Sequence, residues 1–227
     1  MTAHKQTTDG AAYTTGYAYN LSGALIEETY PSGRVVKNTL DADGSLAQVQ
    51  SKKNSSDFYR PYASNFAYNA AGAVTSMKLG NGRWENTAFN SRLQPTMIGL
   101  GNGPTGQGLL KLEYEYGSTA AVNNGNITKQ TITVPGFAHP FVQTYTYDEL
   151  NRISNAEEAS NSTQTWEQTF TYDRYGNRNF DEANTTTLPK NCGTSPNFTV
   201  CTADKKMVDP AVNTANNRLS TSDDYAF

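Results

Sequence analysis

Apolar and polar residues alternate along most of this chain in short runs, and a two-residue period is that of a β-strand. The clearest run is 110–116, in which Leu or Tyr occupies every second position and Lys or Glu lies between them. Gly, Asn, Asp and Pro interrupt the alternation about every 8–12 positions, a spacing typical of all-β proteins. No stretch sustains the period of an amphipathic helix. The pattern therefore predicts an all-β chain of successive antiparallel β-hairpins.

A short aromatic unit recurs along the chain. Its two strongest copies are YTYDELNR at 145–152 and FTYDRYGNR at 170–178. Each has two aromatic residues two positions apart, which a strand projects from the same face. The Asp after the second aromatic can accept a hydrogen bond from the backbone two residues on and so start a turn. Three positions later stands Asn151 or Gly176, and these residue types tolerate the left-handed conformation that tight turns need.

Weaker copies of the unit lie around Asn20, Asp41, Asn69 and Asn90. Recurrence favours a structural role, because catalysis needs one copy of a residue set whereas a scaffold needs many. We predict that the aromatic, turn and arginine positions of the repeat carry the structure. These positions are Tyr17, Tyr19, Gly23, Tyr68, Gly72, Tyr145, Tyr147, Asp148, Asn151, Arg152, Tyr172, Asp173, Gly176 and Arg178.

A second class of turn lies between the copies, in YPSGR at 30–34 and LGNGR at 79–83. The Pro presets the first turn angle and the Asn-Gly pair is a strong hairpin signal. The alternation of the two turn classes resembles the YD repeats of RHS (rearrangement hotspot) proteins, which also occur in bacterial toxin-complex shells and animal teneurins. The resemblance extends over roughly residues 14–219, with gaps around 95–112 and 180–210.

In that family, long runs of repeats spiral into a β-sheet shell around a hollow interior. The resemblance therefore implies that this chain is a fragment of a bacterial RHS-type repeat protein. Its hairpins would form part of a curved sheet or shell. Neither the self-cleaving aspartate segment nor the variable toxin found near the end of such shells is recognisable here.

Composition narrows the possible classes of protein. Hydrophobic residues make up 36% of the chain, which is low for a globular domain, while 14 Tyr and 18 Gly suit sheets with aromatic or polar faces. The aromatic content and a net charge of −3 argue against disorder. With 18 Lys and Arg against 21 Asp and Glu and no basic run, nothing supports nucleic-acid binding. No stretch approaches the roughly 20 apolar residues of a membrane span.

The chain divides into four predicted segments. Residues 1–12 form a polar N-terminal tail, 13–180 form the YD-type hairpin repeats, 181–210 form a loop insertion, and 211–227 start a further repeat. Because the repeats begin early and another unit opens near the end, we expect a piece of a longer chain. The start lacks the apolar core of a secretory signal, but in a piece of a chain this says little about location.

The two cysteines, Cys192 and Cys201, lie in the predicted insertion, with a Gly and a Pro between them that let the chain double back. We favour a local disulfide over two free thiols. In the chain-entropy model, so short a closed loop would stabilise the protein by about 2–3 kcal/mol. A zinc site is disfavoured because it needs four ligands and no His lies nearby.

Three sequence features could be mistaken for sites of chemistry. Residues 101–106 match the dinucleotide-binding glycine pattern, but a strand follows them where that pattern needs a helix. Residues 41–44 resemble the start of a calcium loop, but Lys52 stands where the loop needs Glu. The adjacent Glu157 and Glu158 would point apart on a strand, unlike a glycosidase pair. We therefore predict no catalytic, cofactor-binding or metal-binding residue, and no enzyme.

The expected function is that of a non-catalytic structural segment of an RHS-like shell that encloses or displays a toxin or other cargo. Its partners would be adjacent repeats of the full-length chain and a toxin cargo or surface glycan, with no cofactor. The resemblance implies a secreted or cell-surface bacterial protein. The alternative is a β-sheet module of a cell-surface protein that binds carbohydrate or protein through Tyr rows such as Tyr114 and Tyr116.

Overall fold

The computed structural model describes residues 2–185, 187–188, 190–195, 198–203, 211–213 and 215–219. Within these ranges the regular structure is β-strand, apart from a single-turn 3₁₀ helix at Ala120–Val122. Each pairing of strands is antiparallel, and consecutive strands are joined as hairpins. The predicted class, an all-β chain of successive antiparallel hairpins, is confirmed.

The chain divides into two units, and unit 1 comprises Met1–Glu113 with Val134–Gly136. Its strands follow chain order in the sheet, each hydrogen-bonded to the one before it. They are β1 (Ala3–Thr8), β2 (Ala11–Tyr19), β3 (Leu25–Thr29), β4 (Val35–Leu40), β5 (Leu46–Lys52), β6 (Arg60–Tyr68), β7 (Val74–Leu79), β8 (Trp84–Phe89), β9 (Pro95–Gly101) and the first residues of β10 (Leu110–Glu115).

Unit 2 comprises Tyr114–Thr133 and Phe137–Phe227. Strands β11 to β15 again follow chain order, and two further hairpins pair β16 with β17 and β18 with β19. The strands are β11 (Lys129–Thr133), β12 (Phe141–Tyr147), β13 (Ile153–Ser160), β14 (Thr163–Tyr172), β15 (Arg178–Phe180), β16 (Lys190–Ser195), β17 (Phe198–Ala203), β18 (Val212–Asn213) and β19 (Arg218–Leu219).

Few apolar side chains are deeply buried. Among the described residues, the buried hydrophobic ones are Val35, Ala156 and Phe180. Most strand residues are instead partly exposed. Burial of apolar area is the usual main source of stability, so here the contacts between strands and within turns carry an unusually large share.

Two predicted segments contain strands. In the predicted N-terminal tail, 1–12, residues 3–8 form β1, in which every residue is exposed. A strand that pairs on one side only can hold polar residues throughout, because its ladder hydrogen bonds do not depend on side-chain burial. The predicted loop insertion, 181–210, contains the hairpin of β16 and β17.

The register of that hairpin places Cys192 directly opposite Cys201. Opposite Cα atoms of an antiparallel pair are about 4.5–5.5 Å apart, which lies within the range that a disulfide spans. The side chains of 190–203 lie outside what the structure describes, as do residues 204–210, 214 and 220–227. The disulfide therefore stays a prediction.

Eight turns share one backbone geometry, and two of them start at Tyr30 and Leu79. We name the other six Asx corners because each starts at an Asn or Asp. In each, the fourth residue donates its N–H to the carbonyl of the first, and the first donates to the carbonyl of the fifth. The fourth residue always has a positive φ, between 60° and 88°. The corners start at Asn20, Asp41, Asn69, Asn90, Asp148 and Asp173.

A register shift accompanies five of the corners, at the last residues of β2, β4, β6, β8 and β12. A β-turn followed by a residue of positive φ is the hairpin connection that produces such a bulge. The bulge adds one residue to a strand and increases its local twist. The requirement for positive φ thus fixes both the turn and the register that follows it.

Gly176 has φ 88° and nothing near the position where a Cβ would lie, so a side chain there meets backbone strain alone. We expect Gly176→Val to lower the free energy of unfolding by about 1–3 kcal/mol. Thermal and urea unfolding measure the change. Glu149→Val is the matched control, because Glu149 is exposed, occupies the second position of the corner at Asp148 and does not itself have a positive φ. Equal melting temperatures for the two variants would contradict the assigned turn.

Candidate functional site

The recurring site of this chain is the Asx corner itself. In all six corners, the side-chain Oδ1 of the first residue accepts hydrogen bonds from the backbone N–H groups two and four positions on, with N···O distances of 2.8–3.1 Å. A turn exposes backbone donors that the ladder does not pair. One oxygen atom thus satisfies two of them and fixes the turn at its start.

Asp148 and Asp173 use their second carboxylate oxygen as well. Asp148 Oδ2 accepts a hydrogen bond from Arg152 Nε at 2.7 Å, which is also an ion pair. Asp173 Oδ2 accepts from Asn177 Nδ2 at 2.7 Å. In both corners the fifth residue therefore closes the turn with its side chain as well as its backbone.

These hydrogen bonds favour the ionised carboxylate. The pKa of Asp148 is lowered, chiefly by the backbone N–H of Arg152, and the Arg152 side chain acts in the same direction. The pKa of Asp173 is lowered, chiefly by the side-chain amide of Asn177. Both carboxylates are therefore charged at neutral pH and act as acceptors only.

The aromatic residue just before a corner joins that corner to the preceding strand. Tyr68 donates its hydroxyl to the Leu46 carbonyl at 2.7 Å, and Tyr172 donates to the Ile153 carbonyl at 2.7 Å. Each acceptor lies five positions after the Asp that starts the previous corner. We name this contact the tyrosine clasp. It makes the position of one corner depend on that of the corner before it.

Tyr147 makes the same kind of contact with the longer connection that precedes β11. Its hydroxyl donates to the Ile127 carbonyl at 2.6 Å. Burial raises the pKa of Tyr147, so the hydroxyl keeps its proton and stays a donor well above neutral pH. In the described chain the clasp thus occurs in both units.

Arginines form a second link around the corners. The guanidinium of Arg152 lies over the ring of Tyr172, with Cζ 4.3 Å from the ring centroid. Arg152 therefore connects the carboxylate of its own corner to the tyrosine of the next. Arg178 lies over Phe170 at 4.8 Å, and Phe170 in turn packs against Phe180 with centroids 5.1 Å apart.

The other predicted aromatic positions differ in their contacts. Tyr145 donates to Gln130 Oε1 at 3.4 Å and also to Gln143. Tyr19 is 44% exposed, and its hydroxyl has no acceptor within the described ranges. Phe66 and Tyr68 stack along one strand with centroids 6.2 Å apart. Tyr17 and Tyr145 form no ring pair with another aromatic in the part of the chain that the structure describes.

Sequence reasoning missed a set of asparagines beside the corners. Asn124 and Asn126 donate their side-chain amides to Asn151 Oδ1, at 3.0 and 2.9 Å. Asn177 likewise donates to Asn217 Oδ1 at 2.7 Å. These contacts join residues far apart in the chain, so no local motif in the sequence indicates them.

The structure also pairs two carboxylates that the sequence separates, since Glu157 lies directly opposite Glu167. Gln164 Nε2 donates to both, at 3.5 and 3.1 Å. Across the described residues, no cluster of three or more metal-ligating side chains occurs. No helix among them is long and apolar enough to cross a membrane.

Removing the Tyr172 hydroxyl tests the tyrosine clasp. Tyr172→Phe leaves the Ile153 carbonyl without its partner, and we expect a loss of about 0.5–1.5 kcal/mol in the free energy of unfolding. Tyr19→Phe is the matched control and should change the stability little. Denaturant unfolding measures both. Equal denaturation midpoints for the two variants would show that the tyrosine clasp does not contribute to stability.

The same rule predicts a gain in stability at a corner that is preceded by an aromatic residue without a hydroxyl. Phe89 precedes Asn90, and Val74 lies five positions after the previous corner residue, Asn69. Phe89→Tyr should therefore reach the Val74 carbonyl and stabilise the chain by about 0.5–1 kcal/mol. A lower melting temperature for this variant would show that the clasp geometry does not extend to β8.

Acid should weaken the corners that start at Asp148 and Asp173. A folded-state pKa below the ordinary value of 3.8 contributes stability that is present above about pH 4 and lost as the pH falls through the folded-state pKa. The pKa of Asp57 is lowered to about 2 by the Arg60 side chain, so the loss of stability continues to lower pH. Urea midpoints from pH 5 to pH 2 measure the effect. The double variant Asp148→Asn with Asp173→Asn should show a flatter profile, and an unchanged slope would contradict the assignment.

No family model and no curated protein matches the sequence. Among solved structures, the Photorhabdus luminescens Tc holotoxin pore is similar over 92% of this chain and 12% of its own, with a TM-score of 0.61 and 21% identity. TcdB2-TccC3 is similar over 94% of this chain and 12% of its own, with a TM-score of 0.63 and 19% identity.

TcdB2-TccC3 without its hypervariable C-terminal region is similar over 89% of this chain and 10% of its own, with a TM-score of 0.62 and 20% identity. The chain thus spans about a tenth of the length of these toxin-complex chains. At such identities the likeness concerns the fold. In fold, the chain is similar to one segment of a toxin-complex protein.

Proposed function

We propose that this chain is a non-catalytic structural segment of a longer RHS-like repeat protein, and that its hairpins form part of a β-sheet shell enclosing or displaying a toxin or other cargo. The observation that carries the proposal is the tyrosine clasp between successive corners. Such contacts with the nearest neighbour are how repeat proteins obtain stability without a central core.

The scarcity of buried hydrophobic side chains among the residues that the structure describes supports a structural role. A sheet with so small a core gains stability when further repeats pair with its ends, because each repeat covers its neighbour. The fold likeness to toxin-complex structures supports the same role. The adjacent repeats of the full-length protein are therefore the first partners that we propose, and the cargo is the second.

The proposal that the chain is not an enzyme rests on the hydrogen bonds that the polar residues of the corners make. The Asp residues of the corners are held by hydrogen bonds to their own turns, and Arg152 is held by the carboxylate of Asp148. A catalytic group must instead have an atom that is free to bond with a substrate. The toxin-related context further leads us to propose a secreted or surface location.

The alternative, a carbohydrate- or protein-binding sheet, finds less support in the geometry. Tyr114 and Tyr116, the tyrosines expected to form its platform, are partly buried in unit 2. Burial raises the pKa of both. A ring that stacks on a sugar needs one open face, and partial burial reduces it.

Cysteine labelling of the two sheet faces tests the shell. Thr146 is exposed on one face of β12, and Gln143 shares the opposite face with Tyr145. We expect a polymer-linked maleimide to reach Thr146→Cys and Gln143→Cys in the 227-residue chain. In the full-length gene product, one of the two sites should be protected. Peptide mapping separates these sites from the native cysteines.

A small maleimide is the control, since it should enter a shell that excludes the polymer. Its labelling of both sites in the full-length product would show that the protected side chain is present and reactive. Equal polymer labelling of both faces in that product would contradict an enclosed interior. A gene that encodes no further repeats would contradict the proposal independently.

A further inference from the structure

The connection between β9 and β10 contains an Asn-Gly pair that can react chemically. Asn102 stands directly before Gly103, and the sequence has two other Asn-Gly pairs, at Asn81 and Asn124. In such pairs the backbone nitrogen of the Gly can attack the side-chain Cγ of the Asn, because Gly has no Cβ to hinder the approach. The three pairs have the same sequence chemistry but different surroundings.

We propose that Asn102 is a site of spontaneous deamidation, and that the fold primes it above the other two Asn-Gly pairs. The Gly103 nitrogen loses its proton to solvent and bonds to Asn102 Cγ, and the Asn102 Nδ2 group takes up a proton from solvent and leaves as ammonia. A five-membered succinimide results. Water then opens either of its two carbonyl bonds and gives aspartate or isoaspartate, so the net reaction consumes one water and releases one ammonia.

Arg83 activates the bond that is attacked. Its Nη1 donates a hydrogen bond to Asn102 Oδ1, the oxygen on which negative charge develops when the nitrogen adds to Cγ. A cationic donor placed at a developing oxyanion lowers the barrier. Among the described residues, the corresponding oxygens of Asn81 and Asn124 accept hydrogen bonds only from the backbone N–H groups of Arg83 and Asn126.

The attacking nitrogen is also freer at Asn102. The Gly82 N–H donates to the Leu79 carbonyl at 2.8 Å, and the Gly125 N–H donates to Asn123 Oδ1 at 3.0 Å. Each must lose its hydrogen bond before the nitrogen can react. The Gly103 N–H has no acceptor within the described part of the chain.

Deamidation of Asn102 would alter the connection between β9 and β10. The loop folds closely on itself, since a Cβ on Gly101 would meet the Gly106 backbone at 2.4 Å, and Asn86 Nδ2 donates to the Gly106 carbonyl at 2.7 Å. Isoaspartate adds one carbon atom to this backbone and would displace the loop. Aspartate would instead place a carboxylate against Arg83 and create an ion pair.

Timed incubation of the folded chain at mildly alkaline pH tests the proposal. Peptide mapping by mass spectrometry gives the deamidated fraction at each site, and methylation by an isoaspartyl methyltransferase gives the isoaspartate share. We expect Asn102 to react at least about fivefold faster than Asn81 or Asn124, on account of the cationic donor. In strong urea the three rates should converge, because only the sequence context remains.

The variant Arg83→Gln distinguishes activation of Asn102 by the Arg83 cation from an effect of loop mobility. Loss of the cation should slow Asn102 by about three- to fivefold relative to Asn124, and Arg83→Lys should restore part of the rate. A loop that merely became looser would react faster, so the two explanations predict opposite signs. Faster reaction of Asn81 or Asn124 in the folded chain, or an Asn102 rate unchanged by Arg83→Gln, would overturn the proposal.

Discussion

The pairing of one side-chain oxygen with two backbone N–H groups is the interaction on which the rest of this structure depends. A hairpin turn exposes donors that the strand ladder leaves unpaired. Oδ1 of Asn20 satisfies two of them, and Oδ1 of Asp173 does so again near the other end of the chain. The turn is thereby fixed locally, before any contact between distant residues is needed.

A locally fixed turn still leaves each hairpin weak, because an isolated two-stranded unit is marginally stable in water. The tyrosine clasp supplies the missing coupling. Tyr172 contacts the first residue of β13 and so depends on the corner at Asp148. Stability in such an arrangement approximates a sum of terms for each repeat and for each neighbouring pair. This explains how the chain can hold its fold with Val35, Ala156 and Phe180 as its buried hydrophobic residues among those described.

The sequence was informative wherever the relevant contact is local. The strand pattern, the turn at Asp148 and the positive φ of Gly176 all follow from residues within one hairpin. The acceptor of the Tyr172 hydroxyl lies 19 positions away and is a backbone atom, so no side-chain motif indicates it. Leu93 was also unpredictable, because it adopts φ 60° at a position where Gly is the usual choice.

The corners further show which property of the Asp matters. Asn69 and Asn90 form the same pair of hydrogen bonds as Asp148, with N···O distances of 2.9–3.1 Å in all three. A neutral amide oxygen therefore builds the turn as well as a carboxylate does. The negative charge adds something only where a donor faces the second oxygen, as Arg152 does. The turn is thus primarily geometric, and the charge of Asp148 serves to hold Arg152 where it can lie over the next tyrosine.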